Sequence, residues 1–302
     1  MVEVMKGLFS VATYFWNVFI DISVNLFTTS PKTAADGQLY TVVKTFYDAI
    51  IDCTIPLATV FFIIAIYKSV ISTPPDQQPR RFMQDALKYV IILYISTQLW
   101  NVMGYIVDFA DGITSAVTVS AEECHLDLTD SALFTEIESI DNDDDDDSES
   151  ILTVGAKAYF KNWFNDAAAT LMYLIGGVIT ILVMVAAGVS VINVAFQRII
   201  KPLIIMPFSA IVLGIGSCSG EGSRMLWHFG KSFLGFCLSG AFMVLAVKLG
   251  NSLCTAVITP AISGSDSAFQ NAIILIVQIN LTALVVAGLC KAMDGMVGKV
   301  FG

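Results

Sequence analysis

The sequence predicts an all-α protein: a polytopic transmembrane helical bundle of five spans plus a re-entrant or short sixth segment, an N-terminal amphipathic helix and one acidic external loop domain. Three observations predict it. Of the 302 residues 56% are hydrophobic and the mean hydropathy is +0.74, above the apolar share of soluble domains. Apolar runs at 53–71, 86–107, 168–196, 226–247 and 269–290 approach or exceed the roughly 20 residues of a membrane helix. The charge is partitioned as well: residues 108–166 hold sixteen of the 26 acidic side chains and only two basic ones, Lys157 and Lys161. The formal charge of −10 therefore belongs to one segment, and the rest of the chain is net positive. A soluble α/β enzyme is excluded by this composition.

Four regions follow. Residues 1–35 form an N-terminal amphipathic interfacial helix and linker, 36–107 a two-span helical hairpin, 108–166 the acidic external loop domain, and 167–302 a C-terminal membrane bundle. In the first region Glu3, Lys6, Ser10, Thr13, Asn17, Asp21 and Asn25 fall on one narrow polar stripe of a helix, with Leu8, Phe15, Trp16, Phe19, Ile22 and Leu26 on the apolar remainder. Two placements stay open for it: on the outer membrane face, or packed against the chain's own spans. Asp36 is read as an N-cap. From there an amphipathic pattern runs into the first span as one long helix, with Pro56 as a kink site.

Orientation follows from Lys and Arg in short loops, which resist translocation. The loop holding Lys68, Arg80, Arg81 and Lys88 and the strip holding Arg198 and Lys201 are assigned to the cytoplasm. The N-terminus and residues 108–166 then lie outside and the C-terminus inside. Residues 202–218 open on Lys201-Pro202, contain Pro207 and dissolve into Gly214, Gly216, Gly220 and Gly222, which suits a re-entrant segment. Treating them so also keeps Arg224, Lys231, Lys291 and Lys299 inside.

A search for chemistry gives no catalytic, cofactor or metal site. His125 and His228 fall on opposite sides of the membrane, and the six cysteines lack metal spacing. Cys124 and Cys254 both face outward as a candidate disulfide. Cys124-His125 beside Glu122 and Glu123 reads better as solvated loop than as metal site. The run Asp143 to Asp147 lacks the glycine of a calcium loop and reads as a solvated acidic linker. Within the spans the polar groups are amides, Gln98, Asn101, Gln278 and Asn280, suited to joining helices within or between subunits, with Gly235 and Gly240 permitting close approach.

One further pattern stands out. After the third span come Arg198 and Lys201-Pro202-Leu203-Ile204-Ile205-Met206-Pro207-Phe208-Ser209-Ala210. A glycine-rich turn follows, and then the stretch from Phe229-Gly230-Lys231-Ser232 to Gly240-Ala241-Phe242-Met243. This resembles the TrbL family, equivalent to the sixth VirB component, the polytopic membrane subunit of conjugative type IV secretion systems. The likeness covers residues 190–250 as sequence and most of the chain as architecture.

The resemblance implies a non-enzymatic scaffold and channel subunit in the cytoplasmic membrane, without cofactor. It would form a homo-oligomeric ring, contact secretion ATPases inside and pilus or channel subunits outside, and meet transferred DNA or protein only indirectly. Arg198, Lys201, Pro202, Pro207, Gly214 and Arg224 would form its cytoplasmic re-entrant element. The alternative is a small-solute channel or transporter gated by the broken 202–218 segment. An inverted repeat would favour that reading, and the two halves show none.

Overall fold

The computed structural model describes residues 2–72, 74–117, 125–126, 137, 156–216, 221–253 and 268–301. Among them are seven α-helices and no strand: α1 (Val2–Thr28), α2 (Gln38–Ser72), α3 (Gln78–Val117), α4 (Ala156–Ile205), α5 (Phe208–Gly216), α6 (Glu221–Leu253) and α7 (Ala268–Phe301). Every helix but α5 is long and apolar enough to cross a membrane, and the protein is a multi-pass helical membrane protein. Cys124, Cys254, Glu122, Glu123, Ser139, Gly220 and the run Asp143 to Asp147 lie outside the described residues.

The helices follow from the sequence locally. At nine residues α5 is about 14 Å long, half the hydrocarbon thickness of roughly 30 Å, so it is the short sixth segment. Proline sets its start: Pro207 has no N–H for the carbonyl four residues back and disfavours helix at Met206. Helix α4 accordingly ends at Ile205, and a turn carried by Ser209 N–H to the Met206 carbonyl (3.2 Å) starts α5. The α2 entrance departs from expectation. Ala35 and Asp36 have φ of 51° and 54° and precede Gly37 at 76°. Asp36 is therefore a left-handed turn residue, not an N-cap, and α2 starts at Gln38. It then runs unbroken through Pro56. The helical ends of the acidic region also extend past the apolar runs, α3 to Val117 and α4 back to Ala156.

The chain divides into two compact units. The first comprises Met1–Asn25, Val119–Val194 and Met243–Ala292. In it α1 buries Met5, Phe9, Ala12, Trp16 and Ile20, spaced three and four apart as one helical face. Glycines let α4 come close: Gly177 meets Leu8, Gly188 meets Phe19, and Phe9 packs edge-on to Tyr173. Both glycine contacts advance by the same number of residues on each helix, so α1 and α4 run parallel. Of the two placements open for α1, packing on the chain's own spans is the one present. Helix α7 also runs parallel to α4, with Ile276 against Gly176 and Asn280 Nδ2 donating to Thr180 Oγ1 at 3.0 Å.

The second unit comprises Leu26–Thr118, Ala195–Phe242 and Met293–Gly302. Helices α2 and α3 form an antiparallel hairpin in it. Its core gathers Tyr47, Leu99, Met103, Val107, Met206, Leu213 and Phe233. Gly214 of α5 sits against Leu57 and the Thr54 carbonyl of α2, where an added methyl would stand 3.1 and 3.3 Å from them.

Candidate functional site

Within the second unit the end of α4 carries the most deeply set charge among the described residues. Arg198, expected in a cytoplasmic strip, is only 1% exposed. Its Nη1 donates to the carbonyls of Leu26 at 3.3 Å, Thr29 at 2.9 Å and Phe27. These oxygens belong to the C-terminus of α1, where a helix leaves its last carbonyls without internal donors and carries partial negative charge. A buried cation there satisfies groups that lipid cannot.

The second guanidinium nitrogen, Nη2, faces Asp111 Oδ1 of α3 at 3.5 Å. Ser30 Oγ donates to the other Asp111 oxygen, and Lys32 Nζ bridges both oxygens of Asp108 at 2.7 Å. Asp108 and Asp111 open the acidic region by sequence, yet both are helix residues with cationic partners. Among the described residues Arg198 Nε is buried without a hydrogen-bond partner. On α6 Gly240 leaves the space that the guanidinium fills, and the free thiol Cys237 is buried one turn earlier.

The other expected residues separate into groups. Lys201, one turn after Arg198, pairs with Asp294 of α7 at 2.5 Å. Pro202 continues α4 without an N–H for the Arg198 carbonyl. Pro207 ends that helix, Gly214 packs on α2, and Arg224 is exposed on α6. Of the packing candidates, Asn280 joins α7 to α4 within the first unit, Gln278 is half-buried on α7, and Gly235 and Gly240 are buried. Gln98 and Asn101 are exposed and hydrogen-bond each other at 2.9 Å, joining no second helix among the described residues.

The partners of Arg198 escape sequence reasoning. Asp111 lies in what reads as a solvated run, and backbone carbonyls carry no sequence signal. The one available clue is an arginine four residues before a proline at the end of an apolar run. A second polar site also appears. Asn17 of α1 clamps Leu126, donating to its carbonyl at 3.1 Å and accepting from its N–H at 2.9 Å, while Asp21 holds His125 Nε2 at 2.7 Å. The polar stripe of α1 thus holds residues 125–126.

No family model, curated protein or solved structure matches the chain.

Proposed function

We propose that this protein is an integral membrane scaffold and channel subunit of a type IV secretion machine serving conjugative DNA transfer. It is non-enzymatic and forms a homo-oligomeric ring in the cytoplasmic membrane. Secretion ATPases contact it inside and pilus or channel subunits outside, with transferred DNA or protein met only indirectly.

The observation that carries this reading is the broken element after the third span. Arg198, Lys201 and Pro202 finish α4, Pro207 breaks it, and a helix too short to cross follows before the glycine-bearing α6. That order of residues is where the chain resembles the TrbL family.

The basic residues favour the N-terminus and residues 108–166 outside and the C-terminus in the cytoplasm. Against this, Asp111 lies 3.5 Å from Arg198 of the strip assigned to the cytoplasm, and Asp108 pairs with Lys32 beside it. Asp108 and Asp111 therefore share the depth of that strip and are not proposed as outside residues. Two helices that cross in the same sense need an odd number of crossings between them; α4 and α7 run parallel with α6 between them, which supports leaving α5 out of the count of spans.

Deleting the gene in a conjugative donor tests the function, and abolished transfer with recovery on complementation is expected. Unimpaired transfer would retire the reading. For topology, outside labelling of single cysteines at Ser139→Cys but not at Ser223→Cys is expected. Labelling at Ser223→Cys would overturn the five-span arrangement.

A further inference from the structure

Helix α6 opens on a face unlike the rest of it. Arg224, Trp227, His228 and Lys231 are exposed and follow the three- and four-residue spacing of one helical face. At about 100° per residue they fall within about 100° of one another, opposite Leu226, Phe229 and Phe233, which pack into the core of the second unit. Met225 borders the face at 48% exposure, and Trp227 is 66% exposed. From Ser232 to Ala241 no residue of α6 is exposed.

Contacts within the unit set the depth of this face. Gly216 of α5 lies against Leu226, where an added methyl would stand 3.2 Å from the leucine side chain. Gly214, half a turn earlier, lies against Thr54 and Leu57 of α2. Just beyond these on α2, the Thr59 hydroxyl is 2.8 Å from the Tyr89 hydroxyl and Phe62 stacks on the Tyr89 ring at 4.4 Å. The start of α6 is therefore level with Tyr89, next to Lys88 of α3. None of the residues between Lys88 and Asp108 is charged, a length of about 28 Å, close to the roughly 30 Å of hydrocarbon. Lys88 marks one end of that layer, and Arg224 stands at the same boundary, where the phosphates of a bilayer lie.

Lys231 stands two turns further in, about 10 Å from Arg224 along the axis, and its side chain compensates. Its Nζ sits 5.4 Å from the centre of the Trp227 ring, one turn back toward the boundary. That is the direction of snorkelling: Cα–Cβ bonds tilt toward the helix N-terminus, and the amine of a long side chain reaches the headgroup level while its stem stays in apolar surroundings. Trp227 suits the same level, with an apolar ring and one N–H donor. Arg224 and Lys231 make the face cationic, and residues 222–250 hold no acidic side chain.

We infer that Arg224, Trp227 and Lys231 form a binding site for the headgroup of an anionic phospholipid. Charge complementarity and depth together select this occupant. The guanidinium fork of Arg224 takes two phosphate oxygens, and the Lys231 amine adds positive charge from the hydrocarbon side. Trp227 Nε1 donates to the same headgroup, while the indole ring and Met225 lie on the upper acyl chain. An anionic membrane surface strengthens binding about fivefold for each such cation, a gain that a lipid without net charge does not offer. The inference asks only for a membrane and stands apart from the secretion role.

The test is native mass spectrometry of the full chain, released from detergent after mixing with phosphatidylglycerol and phosphatidylcholine of identical acyl chains. Preferential retention of phosphatidylglycerol is expected. Arg224→Gln and Lys231→Gln should each reduce that preference about fivefold. Lys299→Gln, which removes an exposed cation from α7, should leave it unchanged. All three side chains are exposed, so the fold should be retained. Trp227→Phe should weaken retention less than Trp227→Ala. Four results would each overturn the inference: equal retention of the two lipids; an unchanged preference in both α6 cation variants; the same loss in Lys299→Gln, which means that net charge alone is read; and tighter binding of a single-stranded oligonucleotide or an acidic peptide than of phosphatidylglycerol through the same two side chains.

Discussion

Gly240 of α6 gives Arg198 of α4 its place: a methyl group at that glycine would overlap the guanidinium. A fully buried cation and a missing side chain are thus two halves of one packing solution, and each is exposed to substitution of the other.

Gly240→Ala should destabilise the protein by about 2 kcal/mol, within the range of overpacking a filled site. Gly230, also on α6, has open space where a side chain would go. Gly230→Ala should stabilise by about 0.5–1 kcal/mol through helix propensity alone. Thermal unfolding of the purified protein in detergent compares them; equal shifts would remove Gly240 from the Arg198 site.

Arg198→Met removes the donor for three carbonyls and leaves Asp111 without its cation. Breaking one side of a buried pair costs about 3–5 kcal/mol, so this variant should accumulate poorly. Pairing it with Asp111→Leu should recover part of the loss, because no lone carboxylate remains. Protein level and melting temperature of the single and double variants measure the coupling. Purely additive losses would mean that the carbonyl contacts, and not Asp111, set the value of the arginine.

Asn280→Ala should cost about 0.6 kcal/mol, the average of measured hydrogen bonds between membrane helices. Thr180→Ala should cost the same, and the double variant no more than either alone. Asn280 Nδ2 also donates to its own helix at the Ile276 carbonyl (2.7 Å). A larger loss for Asn280→Ala than for Thr180→Ala would assign the excess to that local bond.

Asn17→Ala should release residues 125–126 with little change in global stability, read as faster limited proteolysis near His125 at an unchanged melting temperature. Asn17→Asp should behave as an intermediate, since a carboxylate still accepts from Leu126 N–H and repels its carbonyl. Unchanged cleavage in both variants would show that the clamp does not hold the segment.

Much of the architecture was legible from run length. The span-length helices, the shortness of α5 and its proline boundary follow from apolar stretches and from chemistry at Pro202 and Pro207 that acts within a few residues. Charges were less legible because their partners are remote. Asp108 and Asp111 read as the start of a solvated run, yet Lys32 and Arg198 reach them across 76 and 87 residues of chain. Asp36 read as a cap because its type suits one. Its positive φ, shared with Ala35, is set by the turn that the chain must make before Gly37. The polar stripe of α1 was visible, but its partner at Leu126 is a backbone amide, which any residue offers.

The clamp at Asn17 also has a mechanical meaning. A side-chain amide that bonds both backbone groups of one residue works as a single rung of sheet between a helix and a strand of chain. A load applied at Leu126 is passed to α1 at mid-length through two hydrogen bonds, with the Asp21 to His125 contact as a third line of attachment one turn along. Traction applied at residues 125–126 therefore arrives as a pull on a packed helix.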